Sequence, residues 1–257
     1  MDAVTPRGGD ERAEPAVGRG GDALADAVIW HDVECGSYAA DLPLWRELAD
    51  ELGGPVLDLG AGTGRVALDL ANHGHEVVAL DVDATLLGAL AERAGPLPVQ
   101  TVVADAQDFD LGARRFALIL APMQTVQLLQ DRAGMLRAVR RHLEPGGLFA
   151  AALADAVDTF GEIESPVPDM REVHGVVYAS RPVAVRADGD GFVLQRLREH
   201  VTPAGERVAT EDRVRLTRVD PAQLAREAAT VNMTAEAPRS IPETDDHVGS
   251  TVAMLRG

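Results

Sequence analysis

The run from Val56 to Val66 constrains this chain more than any other part of it. An apolar stretch, Val56-Leu57-Asp58-Leu59, enters the glycine cluster Gly60-Ala61-Gly62-Thr63-Gly64, and a segment with Val66, Leu68 and Leu70 follows. A glycine-rich turn between a strand and a helix lets backbone approach a ligand closely and aims the first amides of the helix at it. The spacing separates cofactors. A dinucleotide fingerprint reads G-x-G-x-x-G/A, whereas here Gly60, Gly62 and Gly64 are followed by Arg65 and Val66, so the third small residue arrives early. Asp58, just before the turn, is a carboxylate that suits a cationic amino group better than a pyrophosphate.

The same texture repeats along the chain. A helix is expected from about Leu42 to Leu52, with Leu44, Trp45, Leu48 and Leu52 on one face and Gly53-Gly54-Pro55 as its stop. After the glycine turn come a helix ending near His73-Gly74 and a strand, Val77 to Leu80, closed by Asp81. A helix (about Ala84 to Arg93), two strands (Val99 to Ala104 and Phe116 to Leu120), a helix (about Ala133 to Leu143) and a strand (Leu148 to Leu153) complete the alternation. Strands apolar on both faces, alternating with amphipathic helices, form a parallel sheet covered on both sides. The expected fold is therefore α/β, a doubly wound Rossmann-like sheet.

From about Arg171 the pattern changes. Val176 to Arg186, Phe192 to Val201 and Arg207 to Val219 read as strands separated by Asp188-Gly189 and Pro203-Ala204-Gly205 turns. Val214 and Leu216 alternate with Arg213 and Arg215, the period-2 pattern of a sheet with one wet face. This predicts an antiparallel β insertion near the C-terminal half. A helix from about Pro221 to Ala229 and strands at about Val231 to Ala237 and Val248 to Leu255 then complete the main sheet. The organisation predicted is a disordered arm over 1–22, a cofactor-binding core over 23–170, a substrate-covering insertion over 171–219 and a C-terminal return over 220–257.

Composition removes several function classes. All 24 basic residues of the 257 are Arg, so Schiff-base chemistry, a lysine base and the phosphate-binding lysine of a P-loop are excluded. A net charge of −17 opposes nucleic acid and anionic membrane surfaces as partners. Cys35 is alone and can form neither an intrachain disulfide nor a cysteine-rich zinc site. No signal-peptide run opens the chain and no stretch approaches the roughly 18 apolar residues of a membrane span, so a cytoplasmic protein is expected. His73 and His75 read as a solvated helix end, and no metal site is expected.

Asp81 lies 21 residues after Gly60, across the crevice where a ribose diol would sit. With that residue, the Val56 to Gly64 run, the Ala104-Asp105-Ala106 turn and the Leu143-Glu144-Pro145-Gly146-Gly147 run, the chain resembles a class I S-adenosylmethionine-dependent methyltransferase of the small-molecule type. The resemblance covers about Leu42 to Leu153. It implies that Gly60, Ala61, Gly62 and Gly64 wrap the methionine part of S-adenosylmethionine, with Asp58 beside them. It implies that Asp81, with Val82 next to it, holds the ribose, and that Asp105 and Ala106 meet the adenine. His31, Tyr38 and Trp45 precede the core, in a segment that such enzymes often close over the cofactor.

One departure narrows the substrate. The amino and nucleic-acid enzymes of this family often carry an Asp/Asn-Pro-Pro-aromatic signature after the fourth strand, and here the run is Ala121-Pro122-Met123-Gln124. The expectation is a small-molecule acceptor, methylated by in-line displacement at N or O, in a monomer or a homodimer. An amine needs only a polar group to orient it, for which Gln124 is the candidate; a hydroxyl needs a base, for which His31, His174 and His247 are candidates. His174, Tyr178, Arg181 and Arg196 on the insertion are candidates for choosing the acceptor. Two alternatives remain open at this point: a non-catalytic S-adenosylmethionine-binding protein, and a nicotinamide-dependent oxidoreductase, disfavoured by the glycine spacing and Asp58.

Overall fold

A computed structural model describes residues 20–154, 168–244 and 249–257. Two helices, α1 (Gly20–Cys35) and α2 (Leu42–Leu52), lead into β1 (Val56–Leu59), α3 (Arg65–Asn72), β2 (Val77–Asp81), α4 (Ala84–Ala94) and β3 (Val99–Val103). Then come β4 (Phe116–Ala121), the single turn α5 (Thr125–Leu128), α6 (Arg132–His142) and β5 (Leu143–Leu153). The strands β6 (Asp169–Val173), β7 (Val176–Asp188), β8 (Gly191–Val201) and β9 (Arg207–Thr217) follow, and α7 (Pro221–Ala229), β10 (Thr234–Ala235), β11 (Arg239–Ile241) and β12 (Ser250–Arg256) close the chain.

The main sheet runs β10-β12-β5-β4-β1-β2-β3, with β11 paired to β12. The five strands from β3 across to β5 are parallel, and β12 returns antiparallel along β5. The order reverses beside β1: β2 lies on one side of it and β4 on the other, which opens a crevice at their carboxyl ends. The strands are buried on both faces, as their unbroken apolar runs require. On one face Leu57, Leu80, Ile119 and Phe149 meet Met135 and Val139 of α6 and Leu224 of α7. On the other, Val56, Ala79, Leu118 and Ala150 meet Trp45 and Leu48 of α2, Leu70 of α3 and Leu90 of α4.

Local chemistry sets the helix ends. Pro43 stands in the first turn of α2, where its missing N–H is no loss, and Gly53 at φ +61° ends the helix. Asp83 caps α4 by accepting from the amides of Thr85 and Leu86, and Asp220 caps α7 by accepting from Gln223. The second sheet, β6-β7-β8-β9, is antiparallel and carries a small core of its own, Val185, Phe192 and Leu216.

Four expectations need correction. Residues 20–22 are the start of α1 and not an arm; 1–19 lie outside the described residues. The small sheet begins at Asp169, ahead of Arg171. The strand expected over Val231 to Ala237 shrinks to Thr234–Ala235, because Asn232 takes φ +61° in the turn after α7. The last strand starts at Ser250, and residues 245–248, where the Asp245-Asp246-His247 cluster falls, lie outside the described residues.

Candidate active site

The glycine turn leaves β1 with Gly60 and Ala61 donating their amides to the Leu80 carbonyl, at 2.8 and 3.0 Å. Gly60, Gly62 and Gly64 all take positive φ, +70°, +54° and +95°, a conformation that side chains oppose. Space is short as well, since a Cβ at Gly60 would fall 2.8 Å from the Thr125 side chain. Across the crevice Asp81 fixes the turn: its Oδ2 accepts from the Gly62 amide at 2.8 Å and its Oδ1 from the Asp83 amide at 2.9 Å. Each oxygen keeps a further lone pair for another donor.

Asp58 is the most strained group in the site electrostatically. It is 1% exposed, and neither carboxylate oxygen has a hydrogen-bond partner of ordinary geometry; the Ala67 amide exerts only the weakest of the pulls on it. Burial pushes its carboxyl up to about 7, against the pull of Arg65 and with the repulsion of Asp81 and Asp41. An unpartnered buried carboxylate is costly, and a cationic donor is what would relieve it. Asp58, Gly60 and Ala61 line a cavity of about 260 Å³, which Met123, Gln124 and Thr125 close from the end of β4. Met123 holds φ +54° there, unusual for a side-chain-bearing residue, as the chain turns from β4 into α5.

Helix α1 closes the crevice from above. His31 lies over the glycine turn with Nδ1 3.2 Å from the Thr63 hydroxyl, and that hydroxyl donates to Asp32 at 2.8 Å. With its proton committed to Asp32, the Thr63 oxygen can only accept, so Nδ1 carries the imidazole proton and Nε2 is left as an acceptor. Burial lowers the His31 pKa against the opposing pull of Asp32, Asp81 and Glu34, which keeps the ring neutral.

Two acidic side chains tie α1 down. Asp32 takes a two-pronged bond from Arg93 of α4, at 2.9 and 2.6 Å, and one from Arg171 of β6 at 2.7 Å. Glu34 takes a two-pronged bond from Arg198 of β8, at 2.7 and 2.8 Å, and one from Ser180 of β7 at 2.8 Å. For both carboxyls burial works upward, and the arginine bonds and charges outweigh it, leaving them below the usual range. The helix is thus pinned between the glycine turn and the small sheet. Arg196 of β8 and Val214 of β9 line the same cavity as Asp58, so the small sheet forms part of its wall.

The sequence-derived candidates separate clearly. Gln124 and His31 meet at the cavity with Asp58, Gly60 and Ala61. His174 does not: it sits exposed at φ +51° in the tight β6–β7 turn, away from the lining. His247 lies outside the described residues. Tyr38 is buried beneath the Arg65 guanidinium, 5.1 Å from the ring centroid, and is not part of the lining. Trp45 is a core residue whose indole donates to Asp41 at 2.8 Å.

Asp105 caps its own turn, accepting from the Gln107 amide at 2.9 Å, and Ala106 is buried in the core. Val82 is 72% exposed beside Asp81, and Val103 at the end of β3 is 59% exposed, an apolar surface at the carboxyl ends of neighbouring strands. On the small sheet, Arg181 pairs with Glu199 at 3.4 Å, and Tyr178 donates to Asp26 of α1 at 3.4 Å. Sequence reasoning missed Asp32, Glu34, Thr125 and Met123. Only the alternation of Asp32 and Glu34 within an Ala-rich stretch hinted at a helix gripped from two sides. Cys35 also lines the cavity, with its thiol pushed up to about 11 by burial.

Among the described residues no group of three or more His, Cys, Asp or Glu is placed to hold a metal ion, and no helix is long and apolar enough to cross a membrane. A methyltransferase domain family matches residues 56–147. The chain is similar to the cypemycin N-terminal methyltransferase of a Streptomyces species, 33% identical over 158 residues covering 60% of this chain and 62% of that one. It is also similar to the ubiquinone biosynthesis O-methyltransferase of a Methylobacterium, 33% identical over 130 residues covering 47% and 48%. It therefore spans less than two thirds of either relative. The sugar N-methyltransferase KedS8 from a Streptoalloteichus shares the fold, with a TM-score of 0.67 at 21% identity over 98% of both chains.

Proposed function

We propose that the chain, whose residues 56–147 match a methyltransferase domain family, is a class I methyltransferase that moves the methyl group of S-adenosylmethionine to a nitrogen of a small molecule. The observation that carries the reading is Asp58, a buried carboxylate with two unpartnered oxygens at the wall of the glycine-turn cavity. It fits an ammonium group, and it would repel the pyrophosphate of a dinucleotide.

When bound, S-adenosylmethionine supplies an electrophilic methyl group. The chain's own residues bind, orient and exclude water. Asp58 takes the ammonium of the methionine part, and the free lone pairs of Asp81 take the ribose hydroxyls. Val82 and Val103 offer the apolar surface for the adenine. Gln124 and His31 both line the cavity: the Gln124 amide can orient an amine N–H, and the neutral His31 ring is the group on that lining able to receive its proton. Arg196 completes the acceptor side. It is held only by loose ion pairs, 3.6 Å from Glu34 and 3.6 Å from Asp212, so its fork stays available to a carboxylate-bearing acceptor.

Two of the names support nitrogen, an N-terminal methyltransferase and a sugar N-methyltransferase, while a third relative is an O-methyltransferase. A hydroxyl acceptor is the second reading, favoured by the depressed His31 pKa, which keeps a base unprotonated near neutrality. Titration with S-adenosylhomocysteine, followed by methyl transfer from labelled S-adenosylmethionine to matched amines and alcohols, tests both. Absence of heat at millimolar ligand ends the methyltransferase reading, and binding without transfer to any acceptor leaves a binding protein.

A further inference from the structure

At the opposite end of the strands of the main sheet, by the amino ends of β4 and β5, lies a second cavity of about 640 Å³ lined by Arg115, Arg137, Arg140 and Arg141. Three of the four stand on α6 at positions i, i+3 and i+4, one face of the helix. Arg115 faces them from the residue before β4. In a chain of net charge −17 this concentration of one sign is the exception. Arg65, Arg132, Arg198 and Arg256 each grip a carboxylate at 2.9 Å or less.

The four cavity arginines are differently placed. Arg115 donates to the carbonyls of Gly112 and Arg114, and Arg141 to the carbonyl of Phe109, bonds that position a guanidinium without neutralising it. Arg137 has only Asp131, 3.7 Å away and largely exposed. Arg140 has no partner among the described residues. Two further acids stand nearby: Glu144, between the lining residues Leu143 and Pro145, and Asp110, whose carboxyl Arg141 helps hold low, after the Gly112 amide that it accepts from. The carboxyl end of α6 offers about half a negative charge, which accounts for at most one of these arginines. Leu143, Pro145 and Val231 supply an apolar wall.

We propose that this cavity is a binding site for a small polyanion with two linked phosphate groups, separate from the methyl-transfer crevice. Guanidinium forks match phosphate oxygens in pairs, and in a lysine-free chain arginine is the only side chain that is always cationic near neutrality. The cavity is larger than one phosphate needs and falls within the range of small-molecule sites, roughly 300 to 1,000 Å³. Its place on the far side of the sheet makes it an anchoring or effector site and not part of the reacting centre.

Calorimetric titration with inorganic pyrophosphate, orthophosphate and uridine diphosphate, at an ionic strength of about 0.1 M where distant charges are screened, tests this. Pyrophosphate is expected to bind one to one and more tightly than orthophosphate. Arg115→Gln and Arg140→Gln should each weaken it about tenfold, the effect of losing one charge-assisted contact. Arg186→Gln, outside the cavity, should leave it unchanged. Uridine diphosphate binding above pyrophosphate with the same arginine dependence identifies a nucleotide as the source, and equal binding identifies the diphosphate alone. No heat with millimolar pyrophosphate, or equal weakening by Arg186→Gln, overturns the site. S-adenosylhomocysteine binding in the same variants shows that they are folded and keeps this result apart from the proposed methyl transfer.

Discussion

The His31 ring lies against Gly62 so closely that a Cβ at residue 62 would fall 2.2 Å from Nε2 and 2.4 Å from Cε1. Helix α1 and the glycine turn are therefore one packed unit, although 31 positions separate the two residues in sequence. Gly62 is required twice, for its φ of +54° and for the ring above it.

Gly62→Ala should destabilise the fold by about 1–3 kcal/mol, combining left-handed strain with the clash. His31→Ala in the same chain should recover the steric part and leave the strain. Urea denaturation of the two variants checks this, and equal stability of Gly62→Ala and the parent would count against the close contact.

Asp58→Asn should raise stability and abolish function. The folded-state pKa of about 7 stands above the ordinary value of 3.8, so the folded chain holds a proton that the unfolded chain releases between those limits. Stability is fully present below the lower value and is lost as pH rises through the upper one. The variant escapes that loss, so its advantage over the parent should grow from pH 4 to pH 8, reaching on the order of a few kcal/mol. Its affinity for S-adenosylhomocysteine should fall at least about tenfold as a charged contact disappears. Parallel stability curves for parent and variant would sink the assignment.

Ligand binding should release a proton below neutrality. An ammonium group beside Asp58 favours the ionised carboxylate, so at pH 6 close to one proton leaves on binding, and at pH 8.5 almost none. Calorimetry at pH 6 in cacodylate and in bis-Tris, which buffer there with very different ionisation enthalpies, reads the difference directly, and identical binding enthalpies in the two would contradict it.

Glu34→Gln should loosen α1 without disturbing the glycine turn. The change weakens the bonds from Arg198 and Ser180 and leaves the Arg198 charge without its principal counter-ion, at a cost of about 1–3 kcal/mol. Faster amide exchange in α1, and a raised KM for the acceptor with little change in cofactor affinity, are the expected signs. Unchanged exchange in α1 would mean that Asp32 alone pins the helix.

Much of the main sheet was legible because its information is local. Val56–Leu59, Leu42–Leu52 and Pro221–Ala229 form with the bounds that their periodicity and their Pro and Gly stops indicate. The short apolar strands between glycines have no other stable arrangement than the middle of a covered sheet. Terminal strands were less legible: β10 keeps two residues because a strand at the sheet margin gains little from pairing, and Asn232 favours the turn.

The candidate site divides in the same way. The sequence by itself determined the glycine turn, Asp58, Asp81 and the end of β4 at Gln124, because each stands a fixed distance from a strand whose position in the sheet follows from its neighbours. It could not determine α1, whose Ala-rich stretch carries weak periodicity and whose place depends on Asp32 and Glu34 meeting arginines 61 to 164 residues away. Tertiary structure also chose among the histidines, bringing His31 over Gly62 and leaving His174 exposed on a hairpin turn. Strand and turn propensities act between near neighbours, whereas the partner of a charged side chain is fixed only when the whole chain has folded around it.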